Sequence, residues 1–135
     1  MKAWGPAALW AAVLFGLSSL SSIPGSNLFP HEDKVGHFFL YGVMGAALAR
    51  AHRVLGRGRA PHWALLTMGL AYGALDELHQ SFVPGRDPDI HDWVVDGIAV
   101  ALWYAATLYL ARRASGKSTI DAEGARAPGS SPDES

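Results

Sequence analysis

Four long apolar runs alternate with short polar breaks along this chain. The runs extend from about Trp4 to Leu20, Val35 to Leu55, His62 to Phe82, and Asp92 to about Arg112. The breaks are built of turn formers: Ser21–Ser22–Ile23–Pro24–Gly25–Ser26–Asn27 with Pro30, then Arg57–Gly58–Arg59–Ala60–Pro61, then Pro84–Gly85–Arg86–Asp87–Pro88–Asp89. Each run is close to the ~20 residues that a tilted helix needs to cross ~30 Å of hydrocarbon. Peptide groups in hydrocarbon must bond within their own segment, so helix is the expected state.

The pattern predicts an all-α, integral membrane four-helix bundle over residues 1–113, with helices at about 4–20, 35–55, 62–82 and 92–112. Past it, the composition turns to Gly, Ser, Pro, Ala and acids, which have little to bury, so a disordered tail is expected over 114–135. The first run also fits a cleaved signal segment, with Lys2, an apolar stretch and small residues around Ser18–Ser22. Cleavage would leave three spans and put the termini on opposite sides.

Composition agrees with the membrane class: half the residues are apolar, and the charged share of 17% falls below the quarter or so usual in soluble domains. Net charge is -1, and no basic helix or RNA-binding pattern is present, so nucleic acid is not an expected partner. Cysteine is absent, which excludes disulfides, thiolate metal sites and a Cys nucleophile.

Charge position adds orientation. Lys2, Arg50, Arg53, Arg57, Arg59, Arg112, Arg113, Lys117 and Arg126 fall on one side of a four-span topology, and Lys34 and Arg86 on the other. The positive-inside rule then predicts both termini and the Arg-rich loop in the cytoplasm of a multi-pass protein of the cytoplasmic membrane. The acids Glu32, Asp33, Asp76, Glu77, Asp87, Asp89, Asp92 and Asp96 fall in the outer half, as do His31, His37, His79 and His91.

Candidate chemistry gathers in three outer clusters. Asp33, His37 and Tyr41 recur every fourth residue, with Lys34 beside them, on one stripe of the second helix. Asp76, Glu77 and Gln80 close the third helix. Arg86 sits in the following loop, and Asp92 and Asp96 are four apart at the start of the fourth helix. Charge inside the bilayer is costly, about 2.5–3.5 kcal/mol at mid-depth on insertion scales, so these groups are expected to face one another across the helices. Plainer roles suffice for several of them. Asp33 and Asp92 stand where helix N-caps belong, Lys34 could snorkel to headgroups, and Tyr41 could be an interfacial aromatic. Glu77 and His37 fit such roles least. His37, Glu77, His79, Asp92 and Asp96 are metal-ligand types, but their spacing matches no metal motif, and no metal is assigned. The small residues Gly36, Gly42, Gly45, Ala46, Ala49, Gly69, Ala71, Gly73 and Ala74 suit close helix approach.

Asp33–Lys34-x-x-His37–Phe38-x-x-Tyr41, Asp76–Glu77-x-x-Gln80-x-Phe82-x-Pro84–Gly85–Arg86 and Asp92-x-x-x-Asp96–Gly97 together resemble the VanZ-like family. The resemblance runs from about Asp33 to Leu110. It implies a small bacterial integral membrane protein in an envelope setting, in a family named from a member linked to teicoplanin resistance; it supplies no reaction and no cofactor. Many members carry Asn where Asp96 stands and Gly where Ala99 stands, so a neutral amide donor at 96 is in question here. Two functions are expected to compete. In one, Lys34, Tyr41, Gln80 and Arg86 bind a membrane lipid or lipid-linked cell-wall precursor, steadied by Asp33, Asp76, Asp92 and Asp96. In the other, His37 and Glu77 act as acid and base on such a substrate.

Overall fold

The computed structural model describes residues 2–20, 32–86 and 88–124, with backbone alone for 32, 33 and 117–124. It is all-helical among the described residues. The four helices are α1 (Gly5–Ser18), α2 (Glu32–Leu55), α3 (His62–Gln80) and α4 (Ile90–Gly124). The expected number and order of helices hold, and the ends shift. At about 1.5 Å per residue, the 14 residues of α1 reach only about 21 Å, short of a full crossing. The third helix stops at Gln80, and Ser81 and Phe82 turn back onto it through Ser81 N→Glu77 O and Phe82 N→His79 O bonds. α4 runs past its expected end near 112 to Gly124; residues 125–135 of the expected tail lie outside the described residues.

Among the described residues one helix, over Ile90–Gly116, is long and apolar enough to cross a membrane by length and composition. α1 is apolar but short, and polar residues at the ends of α2 and α3 dilute their apolar runs. The helices alternate in direction. Arg50 reaches the Lys2 carbonyl at 2.9 Å at one end, and Ser19 meets His79 at 3.0 Å at the other. α2 against α4 is the main interface; α3 packs on α4, and α1 lies on α2 and α3 without reaching α4.

Gly45 sets the α2–α4 separation. A Cβ there would run into the backbone carbonyl of Val100, so any side chain would force the helices apart. Gly69 and Gly73 likewise face α4, at Val100 and at Trp93 and Asp96, so the Gly69-x-x-x-Gly73 spacing serves packing within the chain. Gly36, expected at a close approach, has nothing near it. The core is correspondingly modest, with Tyr41, Met44, Leu48, Leu65, Val100 and Tyr104 packed among alanines. Aromatic donors tie the helices through backbone carbonyls: Trp10 Nε1 to Leu40 O at 2.8 Å, Tyr72 Oη to Ala11 O at 2.5 Å, and Trp93 Nε1 to Leu70 O at 3.0 Å. A buried indole or phenol needs such a partner.

Candidate functional site

The start of α2, the end of α3 and the start of α4 meet at one end of the bundle. Lys34, in the first turn of α2, reaches across to Asp89 Oδ2 at 2.8 Å and Asp92 Oδ1 at 2.5 Å. The two carboxylates hold its ammonium above the usual lysine range, and the Lys34 and His91 bonds hold Asp89 well below the usual carboxylate range.

Asp89 also ends the loop. Its Oδ1 accepts from the His91 backbone N–H at 2.9 Å and from His91 Nδ1 at 2.6 Å, which is an N-cap bond to the second helical residue. Asp92, for which a cap was the plainer reading and the charge network the other, lies in the first turn of α4 as a partner of Lys34. The reason is that α4 starts two residues early, at Ile90. Pro88 cannot donate a backbone bond, and Asp89 is the first acid positioned ahead of the helical N–H groups. The side chain of Asp33, the other expected cap, lies outside the described residues, as do His31 and Asp87.

One turn deeper, about 9 Å along α4 from Ile90, His37 Nδ1 and Asp96 Oδ1 are 3.0 Å apart. Asp96 is 1% exposed, and its Oδ2 has no hydrogen-bond partner among the described residues. That oxygen faces α3 at Gly73, 3.5 Å from where a Cβ would stand. Glu77, one turn further along α3, accepts at Oε2 from the Asp89 backbone N–H at 3.0 Å, while its Oε1 is buried without a partner among the described residues. One ligand-type atom from each of His37, Glu77 and Asp96 lies within 4.8 Å of the other two. These three residues come from three different helices.

The other expected residues divide. Tyr41 is 1% exposed and stacks beneath His37 with ring centroids 6.0 Å apart. It is therefore a core residue and not an interfacial aromatic. Its hydroxyl lies beside the Asp76 and Asp96 carboxylates. Gln80 donates to Asp76 Oδ2 at 3.2 Å, and both are buried. Arg86 stands apart. The turn Val83–Pro84–Gly85–Arg86 closes with Arg86 N→Val83 O at 3.1 Å, and Gly85 supplies the positive φ of 83° that a type II turn needs at its third residue. Arg86 Nε then reaches the Leu20 carbonyl at 3.0 Å, and its guanidinium makes no ion pair among the described residues. His79 turns to α1, against Phe15 and Ser19.

The opposite end holds a cluster that sequence reasoning missed. The His52 and His62 rings stack at 3.9 Å, His52 Nδ1 meets the Ala60 carbonyl at 2.6 Å, and His62 Nδ1 meets Tyr104 Oη at 2.7 Å. Two histidines flanking the Gly56–Pro61 turn were the available signal. A cleft of about 440 Å³ lies beside it, lined by His52, Arg53, Gly56, Leu108, Ala111, Arg112 and Ser115.

Among the described residues these features define an all-helical protein with one membrane-capable helix and a partly buried carboxylate–imidazole cluster at one end. The family model described as VanZ/LLP1 matches residues 7–112, and the chain belongs to that VanZ-like family. Family and helix together point to a membrane protein. No curated protein and no solved structure matches the chain.

Proposed function

We propose that this chain is a multi-pass protein of the bacterial cytoplasmic membrane, that its acidic end lies at the outer face, and that it binds a cell-envelope headgroup there. Such binding would reduce the access of a teicoplanin-type glycopeptide to its target. The carrying observation is the pair of buried carboxylate oxygens, on Glu77 and Asp96, left without partners among the described residues where three helices converge beside His37. Buried polar atoms are nearly always satisfied, and the exceptions ask for a ligand. Arg86, with no ion pair among the described residues, is the cation suited to gripping phosphate or carboxylate. Lys34 is engaged by two acids and serves to fix the loop, and Gln80 and Tyr41 line the site from inside the bundle.

Two features support the multi-pass reading. Large apolar side chains lie exposed along every helix, among them Leu9, Phe39, Leu75, Val94, Ile98 and Leu102. Soluble monomers rarely carry such continuous apolar surface. Only 22% of the apolar window of α4 is buried, unlike the central helix of a soluble bundle. Because native cysteine is absent, single substitutions test the topology. Asp87→Cys should label from outside intact cells and Gly58→Cys should not; the reverse pattern would overturn the orientation.

The functional test is mass spectrometry of lipids retained by gently purified protein, paired with glycopeptide susceptibility of cells expressing it. A retained headgroup lipid that is lost from Arg86→Ala, with susceptibility restored, is expected. No retained envelope lipid, or unchanged behaviour of Arg86→Ala, would refute the binding reading. The His37–Asp96 hydrogen bond with Glu77 across from it favours a second reading, an acid/base enzyme acting on an envelope lipid or peptidoglycan precursor. That reading expects Glu77→Gln and His37→Ala to lose function while keeping lipid retention.

A further inference from the structure

Among the described side chains of the acidic end, five carboxylates, those of Asp76, Glu77, Asp89, Asp92 and Asp96, stand against two cations, Lys34 and Arg86, with the imidazoles of His37, His79 and His91 beside them. Arg86 reaches the Leu20 carbonyl and, among the described residues, pairs with none of the five. Lys34 is consumed by Asp89 and Asp92, and Asp76 is bonded by the neutral amide of Gln80. The deeper pair, Glu77 and Asp96, has His37 as its one ion-pair partner among the described residues, with the Tyr41 hydroxyl near Asp96 and the Asp89 N–H on Glu77, and each keeps one buried oxygen without a partner among those residues. Two carboxylates held this close repel each other, and either a proton on one of them or a cation beside both relieves that repulsion.

The donors have the dimensions of a coordination site. Three atoms no more than 4.8 Å apart fit on a circle of radius about 2.8 Å at most, while zinc bonds to imidazole nitrogen and carboxylate oxygen are about 2.0–2.2 Å long. Contraction of under about 1 Å per ligand would close the shell. The three ligands come from α2, α3 and α4, so their separation is fixed by helix packing and not by a loop. Gly73, on α3, leaves room for the Asp96 carboxylate to approach that helix.

We propose that His37, Glu77 and Asp96 bind a divalent transition-metal ion, zinc or manganese, at the junction of α2, α3 and α4. One imidazole and two carboxylates suit either ion, and the nitrogen donor disfavours magnesium and calcium, which take all-oxygen shells. Three protein ligands leave further positions open to an exogenous oxygen. The inference therefore rests on the headgroup reading for its biological use, since a phosphate or carboxylate headgroup is one group those positions accept, but metal binding itself does not depend on it.

The test uses the full chain in detergent, stripped with chelator, then equilibrated with Zn²⁺, Mn²⁺ or Mg²⁺ alone. Elemental analysis and thermal unfolding are read on wild type, Glu77→Gln, Asp96→Asn, His37→Ala and, as a control for exposed imidazole, His91→Ala. One equivalent of zinc or manganese per chain is expected, with a raised Tm, and at least about tenfold weaker binding in the three ligand variants. His91→Ala should bind as wild type does. Because Glu77→Gln and Asp96→Asn keep the side-chain shape and remove repulsion, their metal-free Tm should equal or exceed that of wild type. This separates loss of the ion from loss of the fold.

Failure of wild type to bind either ion would overturn the proposal. So would binding unaffected by Glu77→Gln and Asp96→Asn, or magnesium binding as tightly as zinc. Lipid retention unchanged by chelator would leave the headgroup reading standing and detach it from the metal. Metal bound with no lipid retained would do the opposite.

Discussion

The two ends of the bundle treat charge in opposite ways. At the acidic end, Asp76, Asp92 and Asp96 are buried, and each is held by a partner from its own or a neighbouring helix. At the basic end, Arg50, Arg53, Arg57, Arg59, Arg112 and Arg113 are all exposed. Arg113 lies over the Tyr109 ring at 4.8 Å, and Arg50 caps the Lys2 carbonyl. The interior of that end is closed by His52, His62 and Tyr104 instead. Side-chain length accounts for part of the contrast. A long arginine can lay its stem along apolar surface and keep its charge in water; a short aspartate goes wherever its backbone is. Charge placed inside the acidic end therefore depends on tertiary partners, whereas charge at the basic end does not.

The largest effect that would break this comparison is at Lys34. Lys34→Met leaves the mostly buried Asp92 and its neighbour Asp89 without their cation. Removing one partner of a mostly buried charged hydrogen bond is expected to cost about 1–3 kcal/mol, read as lowered thermal stability in detergent. An unchanged Tm would mean that water, and not Lys34, compensates those acids. Tyr104→Phe at the basic end removes only the bond to His62 and should cost about 1 kcal/mol in the same measurement. A loss larger than that of Lys34→Met would invert the ranking of the two ends.

The smallest difference is in pH response. Asp89 has a depressed folded-state pKa, so its stabilisation is present above the ordinary carboxylate value near 4 and is lost as pH falls through the folded value. Lys34 has a raised one, so its share is present below the ordinary lysine value near 10.4 and is lost as pH rises through the folded value. Both report the same ion pair, and together they predict a plateau between about pH 5 and 10 that falls at both edges. Lys34→Met should flatten both edges in a Tm-against-pH series. Exposure of Asp89 to solvent keeps the effect small, and identical profiles for variant and wild type would remove the pair as its source.

Much of the frame was legible along the chain. The four apolar runs predicted four helices in the observed order, and the outer acids and His37 were expected to face one another. The misplaced features share one cause. Asp92 was open to a cap or to a place in the charge network; it pairs with Lys34, and Asp89 caps α4, because helix starts are set by the backbone turn after Pro88 and not by hydropathy. Tyr41 was expected to bind a ligand, with an interfacial aromatic as the plainer role; packing of α2 against α3 and α4 put it inside, beside His37 and Tyr72. His52 and His62 were passed over because, as points on two helices, nothing marks them as neighbours until the turn at Gly56 folds one onto the other.

The sequence by itself determined how many helices form and in what order, which ends are acidic and which basic, and which residue types were available for chemistry. Those properties depend on near neighbours, on runs of apolar residues and on breakers between them. Only the tertiary structure decided that Lys34 would meet residues 55 and 58 positions away, and that His37 would meet Asp96 across 59. It alone left one oxygen each of Glu77 and Asp96 buried without a partner among the described residues. Pairings at that separation are set by the rotation and depth of one helix against another, and at the α2–α4 seam that depth is fixed by the missing side chain of Gly45.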